Sequence, residues 1–334
     1  MGGAGWLKTL LGLAIGLGLI ALIALRMDWA RVFDTLAACR ALLLLPLALC
    51  VALHYVLKGL RWRVLLRGQG RPETGRVLAV RLTLVGFLAN SVIPLRLGEL
   101  SRPYLLSANR PGVSFSWALA TVVGDKLFDL LLTLICLLAA SSALVLPVHG
   151  AAGIAALAGI CGGIAVLGLV AAWWRRRAAE RFETPGPPPV APESSRMRTW
   201  AAAAARHFAD GLAAISSLRR AATALGYSLA SFALLAAAMM LAMATVNLEA
   251  SLPTALLVIG MVGIALVLPG PPTHLGSYHF FAAQALIIAG AADQETAFAF
   301  AVIAHLAQVA VVGVLGAISL IGLDWRPASK PDPG

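Results

Sequence analysis

NSVIPLRLGELSRPYLL, residues 90–106, decides how this chain is read. An apolar run leads into it from Val77, breaks at Pro94, and turns polar through Arg96, Glu99 and Arg102. Proline removes a backbone donor and frees a carbonyl. At membrane depth such irregular backbone survives only where protein or a watery cavity satisfies it. The stretch therefore reads as the tip of a helical hairpin and not as part of a simple span. A second break stands at Pro269-Gly270-Pro271-Pro272, again after an apolar run. The two align as Pro94-Leu95-Arg96-Leu97-Gly98-Glu99 against Pro272-Thr273-His274-Leu275-Gly276-Ser277, a shared Pro-x-basic-Leu-Gly-x.

The rest of the chain puts those breaks in a bilayer. Hydrophobic residues make up 60% of it, charged residues 12%, and the mean hydropathy is +0.87. A soluble domain carries about twice that share of charge. The net charge of +11 does not point to nucleic acid, because the cations sit in blocks beside apolar segments. Arg61, Arg63, Arg67, Arg71 and Arg76 form one block, and Arg175, Arg176 and Arg177 another. Juxtamembrane blocks of this kind face anionic cytoplasmic lipid and fix topology. Cys39, Cys50, Cys136 and Cys161 show no CxxC spacing and read as packing residues.

Apolar runs at 5–25, 41–60, 117–146, 151–174, 221–247 and 296–323 predict six full spans, each near or above the ~20 residues a crossing needs. Residues 28–38 predict a short amphipathic interfacial helix. Ser114 and Asp293 mark helix starts. Residues 175–220 form a Pro- and Arg-rich cytoplasmic linker, with 183–199 too poor in apolar groups to fold. With both Arg-rich stretches, 61–81 and 175–220, on the cytoplasmic side, 77–112 must enter from the cytoplasm and return to it. The same counting makes 252–291 dip in from outside, since no Lys or Arg lies between Arg220 and Arg326. The expected architecture is an all-α polytopic bundle with two re-entrant hairpins entering from opposite sides. Residues 41–146 and 221–323 form the inverted repeats, and 151–174 is an additional span. The protein sits in the cell inner membrane with both termini cytoplasmic; Arg26, Arg31 and Arg40 on the outer side run against the charge rule.

Inverted repeats with broken helices are a transporter architecture. The half-helices after Pro94 and Pro272 begin with free N–H groups and a positive dipole end, which suits a phosphate. Arg96 and Arg102 add charge that can grip phosphate bidentately. The rival reading is a local Arg96–Glu99–Arg102 network that only locks the hairpin. Candidate substrate-binding residues are Asn90, Arg96, Glu99 and Arg102 in the first hairpin and His274, Ser277 and His279 in the second. Candidate gating or structural residues are Pro94, Gly98, Asp125, Lys126, Asp129, Gly276, His305 and Gln308. Asp125 lies roughly 16 Å along its helix, where a charge needs a partner or a cavity. It shares a face with Asp129, while Lys126 points elsewhere, towards a carboxylate such as Glu99. A structural clamp and a substrate or proton site both fit this cluster. Lys58, near a span end, is expected to snorkel. No HExxH pattern, Walker loop or catalytic triad occurs, so neither metal nor cofactor is expected.

NSVIPLRLGELSRPYLL, GDKLFDLL (124–131) and PPTHLGSYHFF (271–281), in that order, resemble the lysylphosphatidylglycerol synthase transmembrane-region family, flippase-like membrane proteins. The resemblance runs from about 40 to 323. Asn90, Pro94, Arg96, Gly98, Glu99 and Arg102 fit the family's N-x-x-x-P-x-R-x-G-E-x-x-R pattern, and Asp125-Lys126 with Asp129 stands where Glu-Arg-x-x-Asp is usual. The third motif departs: the usual P-G-G-L-G-x-x-E keeps only Leu275-Gly276, and His279 replaces the acid. A Tyr-Arg pair usual in the last span is replaced around Ala304-His305. The resemblance implies translocation of a lipid, in the best-understood relatives an aminoacylated phospholipid made by a fused cytosolic transferase domain. No such domain is read in this chain. The expected function is thus a flippase-like translocase for a phosphate-bearing lipid, a modified phospholipid or a lipid-linked intermediate. The alternative is a membrane-embedded enzyme or accessory subunit in glycolipid, polyprenyl-lipid or hopanoid metabolism. The expected partner is membrane phospholipid or a lipid-linked substrate and not nucleic acid; a separate lipid-modifying enzyme and self-association are compatible with it.

Overall fold

The computed structural model describes Gly18 and residues 27–67, 73–93, 98–144, 218–266 and 272–324. The expected spans 5–25, apart from Gly18, and 151–174 lie outside these residues, as do the linker up to Ser217, Pro94, Arg96 and Pro269–Pro271. Asp28 opens the first described helix, α1 (Trp29–Ala37), its carboxylate accepting from the Ala30 and Arg31 amides at 3.0 and 3.4 Å. That oxygen satisfies amides which the first turn leaves without partners. Val32 turns inward while Phe33 stays exposed, the amphipathic division read from 28–38.

Eight more helices follow among the described residues: α2 (Leu44–Leu65), α3 (Arg76–Val92), α4 (Ser101–Asn109), α5 (Phe115–Ala143), α6 (Leu218–Thr245), α7 (Leu252–Ala265), α8 (Ser277–Ile288) and α9 (Gln294–Leu320). No strand occurs among these residues. The starts expected at Ser114 and Asp293 are real caps, accepting from Trp117 N at 3.4 Å and Thr296 N at 2.9 Å. Three stretches, Ala41–Leu65, Leu218–Thr245 and Gln294–Leu320, are long and apolar enough to cross a membrane. The chain is a multi-pass membrane protein. α5 is as long, at 29 residues, but carries Asp125, Lys126 and Asp129 along its length. α3, α4, α7 and α8 have 17, 9, 14 and 12 residues, short of a ~20-residue crossing.

The packing follows a scheme that occurs twice. α3 lies against α9, and α7 against α5; α4 lies against α5, and α8 against α9. α2 and α6, the first helices of the two sets, pack on each other. Between helices in lipid there is little hydrophobic drive, so close packing and internal hydrogen bonds hold such a bundle. Met239, Met243, Leu137 and Phe300 fill one core, and Trp62, Leu82, Leu105 and Trp117 a second.

Polar contacts tie the helix ends. At one end of the bundle Arg81, near the start of α3, donates to the Ser319 carbonyl at 3.2 and 3.1 Å and to that of Ile321, closing the end of α9. Asn109, ending α4, exchanges hydrogen bonds with the Asp324 backbone at 2.9 and 3.0 Å. The α3–α4 pair thus begins and ends at one end of the bundle. At the other end Arg40 N donates to Thr245 O at 2.9 Å, and Asp28 N to Glu295 at 3.4 Å. There α7 begins soon after α6 stops, and α8 stops shortly before α9 begins.

Candidate functional site

Asp125 and Asp129 sit one turn apart on α5, and the side chains from other helices that meet them come from α2 and α4. Arg61, on α2, sends Nε to Asp125 Oδ1 at 2.7 Å and Nη2 to Asp129 Oδ1 at 2.8 Å. Its Nη1 donates to Ser228 Oγ at 3.1 Å, and that hydroxyl donates onward to Ala224 O. Arg102, on α4, sends Nη1 to Asp125 Oδ2 at 3.1 Å and Nη2 to Thr83 Oγ1 at 3.2 Å. Its guanidinium also lies over the Trp62 ring, 4.3 Å from the centroid, a favourable cation–π placement. Lys58 Nζ lies 2.8 Å from Asp129 Oδ2. Lys126 Nζ lies 2.7 Å from Glu99 Oε1, the partner expected for it, and 4.0 Å from Asp129. Asn90 Nδ2 donates to Glu99 Oε1 at 3.3 Å.

An unpaired charge taken out of water is expensive, so these groups exist at depth only as a connected set. The set is graded. The Arg61 and Asp125 side chains are fully buried (0% exposed), whereas Lys126 and Glu99 keep 28% and 18%. It is also unbalanced among the described residues: Lys58, Arg61, Arg102 and Lys126 are four cations, Glu99, Asp125 and Asp129 are three anions, and four minus three leaves one positive charge.

The open end of the network borders a cavity of about 430 Å³, a size typical of a site for a small ligand. Lys58, Glu99, Lys126 and Asp129 form its charged wall. Phe232, Leu235, Met239, Val258 and Val262, from α6 and α7, make much of its apolar wall. The Lys58 and Lys126 ammonium groups both lie over the Phe87 ring, at 5.3 and 5.5 Å. His54, also on this cavity, is held by Ser231, its Nδ1 donating to the Ser231 carbonyl at 2.8 Å.

A smaller cavity of about 100 Å³ adjoins it, and Asn90, Ser91, His274, His305 and Gln308 are among its lining residues. Gln308 Nε2 donates to the Tyr278 hydroxyl at 2.7 Å, and the Tyr278 ring stacks on His305 at 4.6 Å. His305 Nε2 donates to Thr273 O at 2.9 Å. Thr273 and His274 have φ of 57° and 58°, a left-handed conformation unusual for a β-branched residue.

The residues expected at the site divide accordingly. Glu99, Lys126 and Asp129 face the larger cavity; Asn90, His274, His305 and Gln308 face the smaller one, Gln308 bordering both. Arg102 and Asp125 line neither and lie sealed behind the wall. Ser277 and His279 also line neither. Ser277 Oγ donates to His274 O at 3.1 Å, and His279 Nδ1 accepts from the Gly276 amide at 3.4 Å. Gly276 supplies the positive φ of 89° on which α8 starts. Gly98 lets the arms of α3–α4 touch: a Cβ there would collide with the Asn90 amide and come within 2.8 Å of Ala89 Cβ. Glu99 and Arg102 each pair with α5. Two site residues were read otherwise from the sequence. Lys58 does not snorkel, and Arg61 is not part of an exposed block, because both meet carboxylates of α5 at their own depth. Their spacing with His54, at i, i+4 and i+7, is the signal that puts all three on one face of α2.

Among the described residues no three His, Cys, Asp or Glu side chains converge as a metal site. The family model described as the lysylphosphatidylglycerol synthase TM region matches residues 9–316, and the chain belongs to that family. No curated protein and no solved structure matches it.

Proposed function

We propose that this member of the lysylphosphatidylglycerol synthase transmembrane-region family translocates a phosphate-bearing lipid, such as a modified phospholipid or lipid-linked intermediate, across the inner membrane. The observation that carries the reading is the surplus positive charge of the ion network, delivered by Lys58 and Lys126 to a cavity whose other walls are mostly apolar. A lipid phosphate is the anion that matches such a wall, because its acyl or prenyl chain takes the apolar side. Asp125 is sealed and engaged by Arg61 and Arg102, and the two carboxylates on the cavity wall, Asp129 and Glu99, are already held by Lys58 and Arg61 and by Lys126, which disfavours metal–diphosphate chemistry.

The reading also supplies a movement. Lys126 holds Glu99, and through it the hairpin formed by α3 and α4, against α5. A phosphate arriving at Lys126 displaces Glu99 and releases that tether. The recurrent pairing of α2–α5 and α6–α9 supports an inverted repeat, 41–146 against 221–323. The ends of α3–α4 at one end of the bundle, and of α7–α8 at the other, support two re-entrant hairpins entering from opposite sides. Exchange between the two halves then alternates access to the cavity. The same reading keeps six full spans and cytoplasmic termini, with membrane lipid as the partner and a separate lipid-modifying enzyme supplying it.

Reconstitution tests this. In phosphatidylcholine vesicles bearing a trace of labelled anionic phospholipid, the unmodified protein moves the label between leaflets. Lys126→Ala slows it at least tenfold, about 1.4 kcal/mol of lost interaction, and Lys126→Arg keeps most of the rate. Equal rates for Lys126→Ala and the unmodified protein refute the reading.

A further inference from the structure

We propose that His279 is an acid-sensitive latch on the tip between α7 and α8. Its neutral ring holds the tip closed, and a proton taken up by the ring releases it. The latch is a property of the tip itself; only its consequence for lipid rests on the translocase reading.

The tip carries left-handed backbone at Thr273, His274 and Gly276, with φ of 57°, 58° and 89°. Such conformations at non-glycine residues persist only where the surroundings hold them. Side chains hold them here. His305 Nε2 donates to Thr273 O at 2.9 Å, and Ser277 Oγ donates to His274 O at 3.1 Å. His279 Nδ1 accepts from the Gly276 amide at 3.4 Å. Gly276 is the cap residue of α8 and His279 stands three residues on, so this last bond closes the helix's first turn.

A proton acts differently on the two histidine bonds. His305 donates through Nε2 and goes on donating as an imidazolium, in which both ring nitrogens carry hydrogen. His279 accepts through Nδ1, and an imidazolium has no acceptor. Proton and Gly276 amide therefore compete for one lone pair. The closed tip requires neutral His279, whereas a tip opened to water lets the ring titrate near its ordinary value of about 6.5. Above that value the latch is fully engaged. Below it, opening gains about tenfold for each pH unit.

Among the described residues, Tyr278 and His305 are the titratable side chains in ring contact with His279, at 6.1 and 4.8 Å, and Phe298 also packs on it. His274 lies in the tip itself. Glu295, the other titratable residue of α9, meets the Asp28 amide instead. α7, which also packs on α8, has no titratable residue in its sequence, and neither has the stretch 267–271.

Tyr278 shows what the latch guards. Its ring lines both cavities, stacks on His305 at 4.6 Å and receives the Gln308 amide at 2.7 Å. It belongs to the turn that His279 closes, so release of the cap loosens a wall common to both cavities. In the proposed translocase, acid thus opens the cavity through the second hairpin.

Hydrogen exchange of the full chain in detergent, read by mass spectrometry on the peptide spanning 272–281, tests this. In the parent, protection corrected for the intrinsic rate is expected to fall about tenfold from about pH 6 to about pH 5. His279→Gln keeps an acceptor for the cap and does not titrate, so its protection stays level. His279→Leu has no acceptor and exchanges near neutral pH as fast as the parent does in acid. His305→Gln retains the fall. A level parent, a fall unchanged in His279→Gln, His279→Leu protected like the parent, or a fall lost in His305→Gln each overturns the proposal. An equal fall in a peptide from α2 means general loosening in acid and overturns it too. No lipid takes part, so failure of the vesicle assay leaves the latch standing.

Discussion

Arg61 holds Asp125 and Asp129 together, with Nε 2.7 Å from the first carboxylate and Nη2 2.8 Å from the second. One guanidinium from α2 thereby fixes two successive turns of α5, and Ser228 of α6 takes its remaining nitrogen. Removing it leaves fully buried Asp125 with Arg102 alone and Asp129 with Lys58. Arg61→Ala should cost about 3–5 kcal/mol, the usual result of breaking a buried pair from one side. Thermal unfolding in detergent checks this, and a variant as stable as the parent contradicts the clamp.

Arg102 lies over the Trp62 ring as well as making hydrogen bonds to Asp125 and Thr83. A lysine keeps the charge but loses the fork and the guanidinium's contact with the ring. Arg102→Lys should therefore retain less than half of the parent's folded yield at a temperature where Lys126→Arg retains all of it. Fluorescence-detected size exclusion after heating compares the two.

Glu99 competes with any anion for Lys126, 2.7 Å away. Glu99→Gln should tighten retention of anionic lipid by about tenfold, or 1.4 kcal/mol, and yet slow its movement, because nothing then expels the phosphate. Binding and translocation measured on the same sample must move in opposite directions; a fall in both would show that Glu99 only braces the fold.

Gly98 has no room for a side chain against Ala89 and Asn90. Gly98→Ala should cost about 1–3 kcal/mol as an overpacking change, and it should shift Glu99 off Lys126. A stability loss without any change in lipid movement would separate the hairpin's packing from its tether.

Asp293 caps α9 outside the membrane span, and the hydrogen bonds from Thr296 hold its carboxyl below the usual carboxylate range. A lowered folded-state pKa means that the cap's contribution is full above the ordinary carboxylate pKa and is lost as the pH falls through the lowered value. Asp293→Ala should cost about 1 kcal/mol near neutral pH and progressively less in acid. A cost independent of pH would contradict the cap assignment.

The expectations that survived contact with the structure were those set by local chemistry. Ser114 and Asp293 start helices because each hydroxyl or carboxylate meets a bare amide three residues ahead. Asp125 and Asp129 share a face because helical spacing leaves no choice, and Lys126, one residue on, turns to Glu99. Lys58 and Arg61 escaped the reading because a cation near the end of an apolar run looks the same whether it snorkels or finds a carboxylate on another helix. Only the contact of α2 with α5 distinguishes the two. Asn90 was singled out with its motif, but the orientation of its amide depends on Glu99, nine residues away across the hairpin, and no spacing rule reveals that.

In the proposed translocase, the surplus charge at Lys58 and Lys126 binds a lipid phosphate. Mass spectrometry of lipid retained by the purified protein tests it most directly, with the Lys58→Ala/Lys126→Ala double variant beside the parent. An anionic phospholipid or lipid-linked phosphate is expected to be enriched over the bulk membrane extract in the parent and reduced to the bulk proportion in the variant. Equal enrichment in both, or none in the parent, would contradict it.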